Sequence, residues 1–222
     1  MNQGKVKILV LFYSFTGNTA KLAKYVAEGA ASVADTDIAI RQAPELLAQE
    51  FFSDKLELKK LRESLDAEYP LATIDDLLEA DGVAFGTPVH FGSFASQLKQ
   101  FIDQLTPAWL QGKLVNKPAS VFCSGGSQHG GDEMTLTSLM TPLITLGMIP
   151  VGIPYPIQGE SPDFDAGSPY GAIFVAGHGG REIPEADRKV ARILGVRLAT
   201  MTRLLNCDCA SCNACRERMK KL

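Results

Sequence analysis

Three short stretches gather residue types able to hold and orient a small anionic ligand. The first, Ser14-Phe15-Thr16-Gly17-Asn18-Thr19, follows an apolar run and leads straight into a helical pattern. The first turn of a helix leaves backbone N–H groups unpaired and carries positive partial charge. Gly17 permits a tight turn, Ser14, Thr16 and Thr19 add hydroxyls, and Asn18 adds an amide. Together they can wrap a phosphate. The Walker pattern G-x-x-x-x-G-K-[ST] is absent, so no lysine is placed for nucleotide hydrolysis. A G-x-G-x-x-G turn is absent here too, which weighs against a Rossmann dinucleotide site. A neutral, hydroxyl-lined loop suits a terminal phosphate that is held rather than transferred. The plainer alternative is an N-cap cluster that only starts the helix.

The second and third stretches are Thr87-Pro88-Val89-His90-Phe91-Gly92-Ser93 and Ser124-Gly125-Gly126-Ser127-Gln128-His129-Gly130-Gly131. Each offers backbone amides, small residues and a histidine. His129 is a candidate proton donor, with a loop-ordering role as the alternative. A fourth cluster is Cys207, Cys209, Cys212 and Cys215, spaced C-x-C-x₂-C-x₂-C. Four thiolates this close can bind Zn²⁺ or an iron–sulfur cluster. A reduced tail running into Arg216, Arg218, Lys220 and Lys221 is the competing reading. Cys123 stands apart as a small strand-end residue.

The elements that must position these stretches follow from periodicity. Lys5–Tyr13 is nearly continuously apolar, as a strand covered on both faces requires. Asn18–Ser32 has helical spacing, Asp37–Arg41 reads as a strand, and Gln42 to about Thr73 is a long polar connection. That length predicts a short packed helix or a surface function. Further on, helix is expected at Ile74–Ala80, Phe94–Leu105, Glu133–Leu146 (broken or kinked at Pro142) and Pro184–Leu205. Strand is expected at Gly82–Thr87, Ala119–Cys123 and Met148–Ile153, with an extra extended segment at Ala172–Val175. Strands alternating with helices predict an α/β doubly wound parallel sheet with helices on both faces. In such a sheet the ligand lies beyond the carboxyl ends of the strands, where all three loops fall. One domain over 1–205 and a Cys-rich tail over 206–222 is the simplest division.

The 222-residue chain is 45% apolar and 21% charged, with a net charge of −3. It has no long Lys/Arg run, so a broad nucleic-acid footprint is not expected. No apolar stretch reaches the roughly 18–20 residues that span a bilayer, and the apolar start reads as a strand rather than a signal peptide. A cytoplasmic protein is expected, which also argues against structural disulfides.

The run S-x-T-G-N-T after a buried first strand resembles the FMN phosphate loop of flavodoxin-like proteins. "VLFYSFTGNT", "GTPVHFGSFASQLKQFIDQ", "KPASVFCSGGSQHGGDEMTLTSL" and "SPYGAIFVAGHGG" together resemble the WrbA type of NAD(P)H:quinone oxidoreductase. The resemblance runs from about Lys5 to Leu204. It implies a five-stranded sheet in the order 2-1-3-4-5 and FMN contacts at Ser14 through Thr19, at Pro88 through Phe91 and at Ser124 through His129. It implies a homotetramer, NADH or NADPH as donor and a quinone as acceptor. It also implies a substrate-side role for Trp109 and for Thr16. The activity implied is two-electron quinone reduction by ping-pong hydride transfer through flavin N5. A flavodoxin-like single-electron carrier between protein partners is the alternative. A flavin ring needs apolar surface on its face and polar groups at its pyrimidine edge. Pro88, Val89 and Phe91 can supply the first, and backbone amides of 124–129 the second.

Three positions depart from the family. Thr16 stands where a Tyr or another large residue is frequent. Val89-His90-Phe91 replaces Thr-Arg-Phe. Thr145-Leu146-Gly147-Met148 replaces His-His-Gly-Met, so that Leu146 holds the place of a histidine expected near the flavin. His90 substitutes for the missing cation only when protonated, or donates one neutral hydrogen bond.

Overall fold

The computed structural model describes residues 5–48, 51, 53–158, 166–177 and 181–206. The chain opens with β1 (Val6–Phe12), α1 (Asn18–Ala31), β2 (Thr36–Gln42), α2 (Leu56–Glu68) and α3 (Ile74–Glu79). Next come β3 (Gly82–Pro88), α4 (Ser96–Asp103), α5 (Thr106–Leu110), β4 (Pro118–Gly125) and α6 (Asp132–Thr145). The described part closes with β5 (Ile149–Pro150), a 3₁₀ turn at Tyr155–Gln158, β6 (Ala172–Val175) and α7 (Glu185–Leu205). The strands run in the order β2-β1-β3-β4-β5, and every pairing is parallel.

Hydrophobic pattern explains the layers. β1, β3 and β4 are buried throughout apart from Lys7 and the half-covered Pro88. Such strands need cover on both faces. On one face, Val10, Phe12 and Phe122 pack with Leu22, Val26, Leu194 and Leu198 of α1 and α7. On the other, Leu9, Leu11 and Phe85 pack with Leu77, Leu98, Leu136 and Leu139 of α3, α4 and α6.

Two expectations need correction. The fifth strand does not run over Met148–Ile153. It shrinks to Ile149–Pro150, which pairs with Pro118 and Ala119; the Val151 amide makes the last bond to β4, to the Ala119 carbonyl at 2.7 Å, and the N–H that Pro150 lacks would face the free side of this edge strand. The chain then leaves the sheet, and β6 pairs with the other half of β4, Phe122↔Ala172 to Gly125↔Val175. The sheet therefore has six strands filling five positions, and the extended segment at Ala172–Val175 is a true strand. Of the break or kink expected at Pro142, the break does not occur: α6 continues to Thr145, and the Leu146 amide donates to the Pro142 carbonyl at 2.9 Å. The long polar connection does contain a packed helix, α2.

Candidate active site

The three loops leave the carboxyl ends of β1, β3 and β4, which are adjacent in the sheet. They converge on a cleft of about 490 Å³ lined by Phe15, Thr16, Asn18, Lys21, Pro88, Val89, His90, Ser124, Gly125, Gly126, Ala176 and Gly177. That volume lies within the usual range for a cofactor site.

The first loop is held in shape before any ligand arrives. Gly17 takes a left-handed φ of +82° at the N-cap of α1 and provides no side-chain cap. A residue with a Cβ pays about 1 kcal/mol or more for that conformation. α3 shows the contrast: Thr73 and Asp76 form a full capping box at its start. At α1 the cap residue gives no such bond, and the first-turn amide taken by a side chain is that of Ala20. Its partner is the buried Ser14 Oγ, which accepts at 3.2 Å. Asn18 donates to Thr16 Oγ1 at 3.2 Å, and the hydroxyls of Thr19 and Ser124 meet at 2.8 Å. The last contact ties the first loop to the third. These features fit a phosphate monoester: a helix start whose cap residue is a glycine, hydroxyls alongside and Lys21 on the same wall.

The second loop is a tight turn. His90 and Ser93 exchange backbone hydrogen bonds at 2.9 and 3.0 Å around Phe91 (φ +52°) and Gly92 (φ +73°). Positive φ at both central residues is the signature of a hairpin turn. It is unfavourable for phenylalanine, and such strain gathers at functional sites. The Phe91 side chain is thrown clear of the chain and is fully exposed. The Val89 amide donates to the Ser124 carbonyl at 2.8 Å, fixing the second loop to the third. Burial lowers the His90 pKa from its ordinary 6.5, with the Glu45 charge pulling the other way. That lowering weighs against the protonated role of His90 and toward the single neutral hydrogen bond.

The third loop offers Gly125 and Gly126 to the cleft. An atom added to Gly125 as Cβ would stand 2.2 Å from Asp132 Oδ1 and 3.4 Å from Val89 Cγ2. Only glycine fits where three segments meet so closely. Around Gly126 there is open space within 4 Å, as a surface that receives a ligand requires. Gln128 and His129 turn away from the cleft and line a neighbouring hollow with Asp132, Glu133, Tyr155 and Arg181; Gly177 borders both spaces. His129 has a left-handed φ of +61°. Asp132 is buried with its Oδ1 unpartnered. Burial and the adjacent Glu133 raise its pKa, while His129 lowers it. Burial likewise pushes the Cys123 thiol well up, as suits a small core residue.

The structure thus brings together Phe15, Thr16, Asn18, Pro88, Val89, His90, Ser124, Gly125 and Gly126. Ser14, Gly17 and Thr19 form the wall behind. Phe91, Gln128 and His129 stand beside the cleft rather than on it. Ser127 closes the turn of the third loop by accepting from the Gly130 amide. Lys21, Ala176, Gly177 and Asp132 were not foreseen. Lys21 lies one turn into α1, where an outward lysine reads as solvated surface. Ala176 and Gly177 follow β6, a strand end that the fifth-strand misreading hid.

Trp109 and Leu146 lie elsewhere. Trp109 sits on α5, 46% exposed, and Leu146 is buried just past α6. Both precede the starts of strands, where the Asn116 amide bonds the Gly147 carbonyl and the Ile149 amide bonds the Lys117 carbonyl. This is the opposite edge of the sheet from the loops. Leu146 therefore does not face this chain's own cleft. The four cysteines Cys207, Cys209, Cys212 and Cys215 fall outside the described residues. Among the described residues no group of three or more His, Cys, Asp or Glu is arranged to hold a metal ion.

The sheet order and a ligand cleft at its switch point define a flavodoxin-like α/β protein. Comparison with known proteins agrees. A WrbA-like flavodoxin from Agrobacterium tumefaciens superposes with a TM-score of 0.57 at 22% identity, covering 90% of this chain and 98% of that one. A flavodoxin from the domain Archaea gives a TM-score of 0.57 at 16% identity, covering 89% and 99%. More specifically, residues 6–162 match the NADPH-dependent FMN reductase family, and the chain belongs to it. A protein of Solidesulfovibrio magneticus named NAD(P)H dehydrogenase (quinone) is 38% identical over 203 residues, 90% of this chain and 99% of that protein. A protein of the same name from Geotalea daltonii is 38% identical over 199 residues, covering 88% and 96%.

Proposed function

We propose that the protein binds FMN in the three-loop cleft and reduces quinones with NADH or NADPH. The observation that carries this is the start of α1, given no side-chain cap by Gly17, beside a cleft walled by Pro88, Val89 and the Ser124–Gly126 backbone. The family match and the names of the two relatives support the same reading. Bound FMN would supply the two-electron redox chemistry between donor and acceptor.

The chain's own residues bind and orient. The amides and hydroxyls of Ser14–Thr19 hold the phosphate, with Lys21 adding a cation. Pro88 and Val89 give apolar cover to one side, and the backbone of Ser124–Gly126 hydrogen-bonds the polar edge. Ser127, Gln128 and Phe91 shape the rim. Donor and acceptor occupy the same open side in turn, beside Thr16, giving a ping-pong cycle. His129, next to Asp132 in the adjoining hollow, is the proposed proton donor.

Steady-state assays of FMN-loaded protein with NADH, NADPH and benzoquinone test this. Absence of turnover with both nicotinamides would refute the enzyme and leave the single-electron carrier. A homotetramer belongs to the same proposal. Trp109 reaches a cleft only if a second copy presents its opposite sheet edge, so a monomer by light scattering removes the tryptophan from the site. A cytoplasmic setting, one FMN domain over 1–205 and a separate 206–222 tail complete the reading. Zn²⁺ or an iron–sulfur cluster at Cys207, Cys209, Cys212 and Cys215 is tested by metal analysis of anaerobically purified protein; absence of both metals removes it.

A further inference from the structure

The long connection between β2 and β3 contributes nothing to the cleft lining, yet it touches the phosphate loop from behind. α2 is a polar helix with only Leu65 fully buried. Its Leu61 is half-buried against the core, and Leu61 Cδ1 lies 3.3 Å from where a Cβ on Gly17 would stand. The next residue, Arg62, has a side chain only 13% exposed. Arg62 Nη1 donates to the Ser14 carbonyl at 3.3 Å, Nη2 to Gln42 Oε1, and Nε to Asp66 at 3.1 Å. Gln42 in turn donates to the carbonyls of Leu65 and Tyr69 and to Asp66. The far end of α2 is anchored by Lys24–Glu68 at 2.8 Å and by Tyr69, packed edge-on against Phe12.

The planar peptide makes this consequential. In a trans peptide the C=O of one residue and the N–H of the next point in opposite directions. Drawing the Ser14 carbonyl back onto Arg62 therefore turns the Phe15 amide away from α2, and Phe15 lines the cleft. A guanidinium N–H on a carbonyl is a charge-assisted bond, and the other arms of the guanidinium, on Gln42 and Asp66, leave it little freedom to reorient. Leu61 beneath Gly17 blocks the loop from collapsing toward α2. The hydroxyl contacts of Ser14 and Thr19 hold the loop from the other side.

We propose that α2 is a brace for the phosphate loop, with Arg62 as a positioning residue that sets affinity for the phosphate monoester of the flavin. The inference rests on the FMN reading of the cleft. Arg62 stays behind the loop and acts through the Ser14–Phe15 peptide, and Leu61 acts through Gly17.

The test compares FMN with riboflavin, which carries the same ring and no phosphate. Apoprotein is titrated with each flavin by fluorescence quenching, for wild type, Arg62→Met, Arg62→Lys and Leu61→Ala. Loss of a bond to a charged group weakens FMN binding by about 10–100-fold in Arg62→Met, with riboflavin changed by less than about threefold. Arg62→Lys recovers part of the loss. Leu61→Ala shows the same selective effect more weakly, and it leaves no polar group unpaired if Arg62→Met folds poorly. Unchanged FMN affinity in all three variants overturns the brace, as does an equal loss for both flavins. Wild-type protein that binds neither flavin sinks the FMN reading itself, and the brace with it.

Discussion

The contact between Thr19 and Ser124 decides whether the site is built before the cofactor arrives. It joins the first loop to the third across 105 positions of sequence, with the oxygens 2.8 Å apart and the two residues only 1% and 6% exposed. Thr19→Val keeps the shape and removes one oxygen, leaving the Ser124 hydroxyl buried without its partner. An unsatisfied buried hydroxyl costs about 1–3 kcal/mol. Ser124→Ala does the same from the other side. In the double variant neither polar group remains, so the second substitution costs far less than it does alone. The cycle should give a coupling of about 1 kcal/mol or more, read as a change in urea midpoint at constant m for the apoprotein. In a chain of this size each 1 kcal/mol also moves the thermal midpoint by about 2–4 °C. If the double variant loses the sum of the single losses to within about 0.5 kcal/mol, the hydroxyls are not coupled. The backbone bond from Val89 to Ser124 would then tie only the second loop to the third, and the hydroxyl pair would add nothing to hold the first.

Three further outcomes follow from the packing. Gly125→Ala drives a methyl to within 2.2 Å of the buried Asp132 carboxylate, so it should cost about 1–3 kcal/mol in urea unfolding and weaken FMN binding. Glu45 loses through burial, but its hydrogen bonds from Tyr13, the Leu47 and Leu46 amides and Gln97 outweigh that and lower its pKa below 4.5. Its contribution is thus full above its ordinary pKa and fades as pH falls through the lowered one; the stability gap between wild type and Glu45→Gln should close in acid, and a gap constant with pH would contradict this. Burial lowers Lys117 from 10.5 to about 8 while its ammonium donates to the Leu77 and Leu78 carbonyls. Between those values the unfolded chain binds more protons, so stability should rise with pH relative to Lys117→Met, and a flat difference over that window would refute the shift.

Legibility in the sequence followed whether a feature was local. β1 and the start of α1 were readable because an apolar run, a glycine and a hydroxyl cluster each act within a few residues. The three loops were readable because a parallel sheet sends every strand end to one edge. The split fifth position was not readable: whether Val151–Ile153 pairs depends on β6, some twenty residues later, taking the other half of β4. Lys21 and Gly177 were missed for the same reason, since each joins the cleft only through tertiary placement. Phe91 was read as a face for the ring, but its side chain direction is set by a left-handed turn that composition does not announce. Trp109 shows the limit of a resemblance, because a role carried over by motif places no atom. In this chain it sits across the sheet from the loops.

These placements bear on how the cleft discriminates. His90, on the cleft wall, has its pKa lowered by desolvation, which disfavours a positive charge there. Lys21 is then the only Lys or Arg among the described residues lining the cleft, and it stands beside Thr16 and Asn18 at the phosphate end. A second cation of the neighbourhood, the half-buried Arg62, donates to a carbonyl behind the loop. Charge therefore favours the cofactor's phosphate, while the end walled by Pro88, Val89 and the glycines selects by shape and backbone hydrogen bonds. A flat, uncharged acceptor fits that end better than an anionic one. Placing a permanent cation there with His90→Arg should lower KM for an anionic quinone sulfonate several-fold by a favourable contact of about 1 kcal/mol, and leave benzoquinone unchanged. Equal effects on both acceptors would show that residue 90 acts on the flavin or the loop and not on the incoming substrate.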